Sequence, residues 1–282
     1  MNQSIAVDRR HAAEPSRQLR IRFNTGPGRI LIQTIAVCLF FAAWEWGARA
    51  GIISTFLVGA PSGIWHDALK LALSGDLVRD IWLTFYEAML GFAFGTIIGS
   101  ILGLSLWYSA FIARLVEPFI IAINSVPKIA FAPIVILWFG TDLLSKVALA
   151  ISLTAIVALI SAYQAAKDAD PDLQALLLTL GANKHQIFYK VIVPSTLPAM
   201  IATCRINVGF GMVGAVVGEF ISSQAGLGHL IYTASSLYDL NTVWVGLFAL
   251  MALGFILYFV IDFFERRVLP WKQTTMQQDL RV

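Results

Sequence analysis

The 282-residue sequence predicts an all-α polytopic membrane protein with six transmembrane helices and both termini cytoplasmic. Apolar residues make up 58% of the chain and charged residues 13%, six stretches are apolar enough to cross a bilayer, and Lys and Arg crowd on one side of them. A soluble domain carries about 25% charged residues. With a mean hydropathy of +0.75, the composition excludes a disordered chain, a nucleic-acid-binding protein and an ordinary cytosolic enzyme.

The six stretches are residues 30–49, 81–108, 115–139, 147–163, 197–218 and 243–264. Crossing about 30 Å of hydrocarbon takes about 20 helical residues. Five stretches reach that length, and the fourth is at the short end of the range. Helices are expected because a helix satisfies its own backbone in lipid, and no dyad alternation points to a β-barrel.

Lys and Arg fix the orientation. With the N-terminus inside, the inner segments hold Arg9, Arg10, Arg17, Arg20, Arg22, Arg29, Arg114, Lys167, Lys184, Lys190, Arg266, Arg267, Lys272 and Arg281. The outer segments hold Arg49, Lys70, Arg79 and Lys146, while Lys128 and Arg205 fall within spans. The chain then divides into an inner tail at 1–29, a first span with its outer loop at 30–80, a membrane domain at 81–270 with an inner loop at 164–195, and an inner tail at 271–282. The polar start and the length of the first apolar run argue for a retained anchor rather than a cleaved signal peptide. Its arginines hold topology and touch anionic lipid. In the outer loop, Pro61-Ser62 starts a helix expected to lie on the membrane surface. Cys38 and Cys204 lie in apolar runs and read as small buried hydrophobes, with no disulfide framework.

Inside the membrane, Gly91, Gly95, Gly99 and Gly103 repeat every four residues, which puts a smooth face toward a neighbouring helix. Span three carries Pro118, Pro127 and Pro133, each lacking a backbone donor, with Asn124, Ser125 and Lys128 beside the middle one. A broken helix at this depth is tolerated against protein or a watery cavity. Lys128 is read either as the partner of a carboxylate or carbonyl or as part of a pathway. In span five, Arg205, Asn207 and Glu219 are read either as structural contacts or as path lining. Glu45 and Asp262 sit near helix ends and are expected to reach water, whereas Glu87 has no evident partner.

The 164–195 loop is too ordered to be a linker. Asp170-Pro171 is a cap followed by Pro at the first helical position. A helix through Leu173 and Leu177 ends at Gly181, and Ala182 leads to Asn183, which caps a second helix with Gln186 in capping-box register. Ile187, Phe188, Val191 and Ile192 give that helix an apolar face, and Pro194 is expected to stop it. Exposed apolar surface on such a loop signals a partner.

The run Gly181-Ala182-Asn183, Ile187-Phe188 and Val191-Ile192-Val193-Pro194 resembles the EAA loop of permease subunits of bacterial ABC importers. Pro127-Lys128-Ile129-Ala130-Phe131-Ala132-Pro133 with Leu137-Trp138-Phe139-Gly140 is similar to the third-span motif of sulfonate, taurine and nitrate permeases. Glu219 with Gly226-Leu227-Gly228, and Glu265-Arg266-Arg267 with Leu269-Pro270-Trp271, resemble their later segments. The resemblance runs from Pro61 to Trp271. One position departs: Ala175 stands where the family carries the EAA glutamate.

The resemblance implies a type I ABC importer permease fold in the bacterial cytoplasmic membrane, working as a homodimer. Two cytoplasmic ATPase subunits, which bind ATP and Mg, would dock on the loop. An extracytoplasmic binding protein would deliver a small solute, expected to be an anion of sulfonate, taurine or nitrate type, with a thiamine precursor or aromatic acid as the alternative. Asn124, Pro127, Lys128, Pro133, Arg205, Asn207 and Glu219 are the expected path or gate residues. No G-x-x-x-x-G-K-[ST] motif, zinc cluster or catalytic triad is found, so no enzymatic activity, cofactor or nucleic-acid partner is expected of this chain. A self-contained secondary transporter or channel is the rival class, since broken helices also mark such sites.

Overall fold

The computed structural model describes residues 26–268. Arg9, Arg10, Arg17, Arg20, Arg22, the side chain of Arg29, Lys272, Arg281 and the Leu269-Pro270-Trp271 ending lie outside the described residues. The chain divides into two compact units, residues 1–62 and 63–282.

In the first unit, α1 (Gly26–Arg49) precedes the short α2 (Thr55–Val58). Glu45 accepts from Arg49 Nε at 2.6 Å and from the Ser62 N–H at 3.0 Å. It is held by its own unit while its side chain stays 20% exposed, as expected of a group that reaches water. Cys38 is exposed, not buried. A helix meant for lipid has no reason to hide apolar side chains from its surroundings, so an apolar run does not by itself mean burial in protein.

Helix α3 (Pro61–Ser74) begins at the expected proline. There follow α4 (Asp76–Ser105) with a 3₁₀ turn at Leu106–Tyr108, α5 (Ala110–Ser125), α6 (Ala132–Phe139) and α7 (Leu143–Lys167). Next come α8 (Pro171–Thr179), α9 (Lys184–Ile187), α10 (Val193–Ser222), α11 (Leu227–Ser236) and α12 (Leu240–Val268). Among the described residues every regular element is helical. Five of these helices, or six spans if α5 and α6 count as one, are long and apolar enough to cross a membrane.

The helices run a few residues beyond the apolar stretches, and two departures have local causes. The fourth span starts at Leu143 because its first turn carries Ser145 and Lys146, both buried against protein. Hydropathy alone excluded them. In the third span only Pro127 breaks the helix. Pro118 is absorbed inside α5, and Pro133 sits in the first turn of α6, where its missing N–H costs nothing. The two halves meet at 84°.

Helices α4, α7 and α10 pack together as the centre of the second unit. The glycine ladder of α4 faces α7. A Cβ at Gly91 would overlap Ala150, one at Gly95 would overlap Thr154, and those at Gly99 and Gly103 would strike the carbonyls of Ala155 and Leu159. Gly214 and Gly218 of α10 meet α7 in the same way at Ala150 and Lys146. The helices approach at backbone distance, which maximises dispersion contact where lipid removes the hydrophobic drive. Gly99→Ala should therefore lower unfolding stability in detergent by about 1–3 kcal/mol. Gly209→Ala, where the added Cβ meets nothing within 4 Å, should be neutral or stabilise by about 0.5–1 kcal/mol. Thermal unfolding of the two variants checks the difference.

Candidate functional site

The segment between α7 and α10 is built as its residues dictate. The Asp170 carboxylate accepts from the N–H groups of Asp172 at 2.8 Å and Leu173 at 3.4 Å, and Pro171 opens α8. The helix closes at Gly181, whose φ is 81°. The Ala182 N–H donates to Leu177 O at 2.9 Å and the Gly181 N–H to Leu178 O at 3.0 Å, the two bonds of a Schellman turn. Asn183 and Gln186 complete a capping box, with bonds of 2.9 and 2.8 Å.

Pro194 does not stop the second helix. Lys184–Ile187 leads through a π turn at Phe188–Ile192 into α10. The wider turn just before Pro194 makes room for its ring, and the chain stays helical from Lys184 to Ser222. Any movement at residues 184–192 is thereby joined to a membrane helix by continuous hydrogen-bonded backbone.

Ile187, Phe188, Val191 and Ile192 are buried, packed with Ala166, Ala169 and Leu177. Their apolar face is filled from within. The rings of Trp107 and Tyr108 lie 5.8 and 4.6 Å from that of Phe188. Lys184 Nζ donates to Tyr108 O at 2.6 Å and sits 5.6 Å from the Trp107 ring centroid. What remains uncovered is on and beside α8: Leu173, Leu176, Leu178 and Leu180 are between 49% and 73% exposed.

At the break in span three, Lys128 Nζ donates to Asn124 Oδ1 at 3.1 Å and to Asn124 O at 3.4 Å. It meets a carbonyl and an amide, not a carboxylate. Asn124, Pro127 and Pro133 are exposed.

Arg205, Asn207 and Glu219 lie elsewhere. Arg205 bonds Asp262 at 2.5 Å and Glu265 at 2.6 Å, and Asp262 also bonds Arg266 at 2.8 Å. Asp262 thus joins α10 to α12 and does not simply reach water. Asn207 is fully buried and donates to Thr96 Oγ1 at 2.9 Å and Thr154 O at 3.1 Å, tying α4, α7 and α10. Glu219 is fully buried, accepting from Thr84 Oγ1 and from the Gly228 N–H, each at 2.6 Å. Thr84 in turn accepts from the Leu227 N–H at 2.9 Å, and Asp80 from the Gly226 N–H at 2.9 Å. Beside this lies a buried ion pair, Lys146 Nζ to Glu87 Oε1 at 3.2 Å, with Lys146 also donating to Ser223 Oγ at 2.9 Å. The cluster pins the turn between α10 and α11 against α4 and α7. The sequence signals for it are the Glu219 with Gly226-Leu227-Gly228 resemblance and charge at similar depth: Glu87 near the start of one span, Lys146 at the start of another and Glu219 at the end of a third.

Comparison with known proteins places this architecture. Residues 95–270 match the family described as the binding-protein-dependent transport system inner membrane component. The chain belongs to that family. It is 31% identical to the formylaminopyrimidine transport permease protein ThiX of Halalkalibacterium halodurans, over 85% of this chain and 95% of that one. It is 29% identical to the putative aliphatic sulfonates transport permease protein SsuC of Bacillus subtilis, over 84% and 86% of the two chains. Among solved structures, an inward-facing form of the MetNI methionine ABC transporter shares the fold, with a TM-score of 0.62 and 22% identity over 70% of this chain and 98% of that one. The permease is thus a membrane component of an ABC importer and not an enzyme; ATP hydrolysis in such systems belongs to a separate subunit.

In the permease, the Glu87–Lys146 pair is buried, with side-chain exposures of 1% and 7%. Removing one partner of a buried pair strands the other charge and costs about 3–5 kcal/mol. Lys146→Met should therefore destabilise the permease more than Glu87→Gln/Lys146→Met does. Unfolding temperatures in detergent for both singles and the double check this.

Proposed function

We propose that the 168–194 segment is the seat of a cytoplasmic ATPase subunit and that α8 presents the docking surface. One observation supports this above others: four exposed leucines stand on and beside a short helix whose other contacts are internally satisfied, next to a helix that continues into the bundle. In this reading both termini and the segment face the cytoplasm, as the Lys and Arg distribution favours. The permease works as a homodimer, with a binding protein delivering solute to the far side. ATP-driven closure of the ATPases favours one arrangement of the spans over the other through differential contact at α8. Ala175, where related loops carry glutamate, is exposed on α8 and leaves that surface apolar.

The path residues divide in this reading. Asn124, Pro127, Lys128 and Pro133, at and beside the break, line or gate the path. Arg205, Asn207 and Glu219 hold the spans that move around it. For the solute, Lys128 alone supports an anion of sulfonate, taurine or nitrate type. Arg205 is neutralised by Asp262 and Glu265, and this favours the thiamine precursor of the second reading over any anion, an aromatic acid included. The name of the H. halodurans relative agrees with that second reading.

Co-purification in detergent with its candidate ATPase subunit tests the docking surface. Wild type should retain the ATPase, and Leu176→Asp/Leu180→Asp should lose it while keeping its unfolding temperature. Retention by the double variant would defeat the assignment. Gly181→Ala, strained by about 1–2 kcal/mol at positive φ, should weaken capture without abolishing it. Sidedness is read separately, with Cys38 and Cys204 replaced by Ser. A membrane-impermeant maleimide should reach Thr179→Cys in inverted vesicles only and Thr141→Cys in spheroplasts only.

A further inference from the structure

Between α5 and α7 runs a groove that the transport reading touches only at Asn124. Its wider part, about 380 Å³, is lined at the helix ends by Trp107, Arg114, Glu117, Tyr163, Lys167 and Gln174. A second cavity of about 310 Å³ continues from it, sharing Glu117, Tyr163 and Lys167, and is walled mainly by Ile120, Ile121, Leu159 and Ile160, with Asn124, Ser125 and Gln164 as its further polar lining. The two together make one slot with a charged mouth and an aliphatic interior.

The chemistry of the mouth is specific. Arg114 and Lys167 are exposed, and no hydrogen bond or ion pair engages either of them or Glu117 among the described residues. Two cations against one carboxylate leave one positive charge in surplus. Tyr163 and Trp107 flank them, the aromatic residues typical of a membrane–water boundary. The residues sit where α4 and α7 end and α5 begins, the depth of lipid headgroups. A small polar solute would satisfy the mouth and leave the aliphatic slot empty. A free acyl chain would fill the slot and leave the cations unpaired. An anionic glycerophospholipid satisfies both.

We propose that this groove holds one anionic phospholipid, its phosphate between Arg114 and Lys167 and an acyl chain in the slot between α5 and α7. Glu117 accepts hydrogen bonds from headgroup hydroxyls. The lipid touches Gln174 of α8 and Trp107, the ring packed on Phe188. It therefore braces the joint between the membrane bundle and the 171–192 segment. Only the choice of leaflet rests on the functional reading above; the site itself does not.

Native mass spectrometry of the full-length protein in detergent tests it, with phosphatidylglycerol and phosphatidylethanolamine as probes. Wild type should retain one phosphatidylglycerol per chain in preference to phosphatidylethanolamine. Arg114→Gln/Lys167→Gln should weaken phosphatidylglycerol binding about 25-fold, at about fivefold per charge, with unchanged unfolding temperature. Arg114→Lys/Lys167→Arg should restore it, and Glu117→Gln should shift the headgroup preference without abolishing binding. Equal retention of the two lipids by wild type, or no loss in the double Gln variant, overturns the proposal. Displacement of the bound lipid by millimolar glycerol phosphate identifies a soluble-anion site instead and overturns it as well. Failure of the ATPase capture or of the sidedness labelling would not alter these readings, because lipid retention in detergent depends on neither.

Discussion

The distance between α4 and α7 governs the rest of the second unit. In water, two helices are driven together by the apolar area they hide. In lipid that term vanishes, and what remains is dispersion, polar contact between helices and the room that small residues give. Gly91, Gly95, Gly99 and Gly103 bring the backbone of α4 onto α7 along four turns, and Gly214 and Gly218 bring α10 onto the same helix. Only at that spacing can Thr154 Oγ1 donate to the Gly91 carbonyl at 3.1 Å and Asn207 reach both Thr96 and the Thr154 carbonyl. The same approach lets the short bridge from Lys146 to Glu87 close without water. Polar contacts in this bundle are consequences of glycine packing rather than alternatives to it.

Against this tight centre stand two places where regular structure gives way. At Pro127 the third span folds through 84°, and its freed polar groups are met by Lys128 and Asn124 from the chain itself. At Phe188–Ile192 the helix widens into a π turn yet continues. The first interrupts a span and the second preserves one. A bend separates two rigid pieces, whereas a continuous helix transmits displacement along its length. The 184–192 segment is therefore tied stiffly to α10, and through the Trp107–Tyr108–Phe188 rings to the end of α4.

Local rules carried the reading of the 170–187 segment almost residue by residue. Asp170, Pro171, Gly181, Asn183 and Gln186 each act within four or five positions of themselves, so a cap, a Schellman turn and a capping box can be read from spacing alone. Pro194 was misleading for the same reason. A proline stops a helix unless the preceding turn adapts, and that adaptation depends on Phe188, Val191 and Ile192 being buried against α7 and the Leu106–Tyr108 turn. The apolar face of that second helix was correctly found, but whether a partner or the chain itself covers it is not a local property.

Spans, their order and the charge asymmetry follow from the sequence because each is a sum along the chain: hydropathy over about 20 residues, or Lys and Arg between spans. The glycine ladder and the capping motifs belong to the same class, being fixed periods on one helix. Pairings belonged to the tertiary structure alone. Glu87 meets Lys146, Arg205 meets Asp262 and Glu265, and Glu219 meets Thr84 and the Gly228 amide. Each joins residues dozens of positions apart or on separate helices, or closes a turn whose geometry neighbouring helices impose. A buried charge announces on its own only that it needs a partner. Which partner it takes depends on how helices rotate and slide against one another, and small residues with no charge at all decide that.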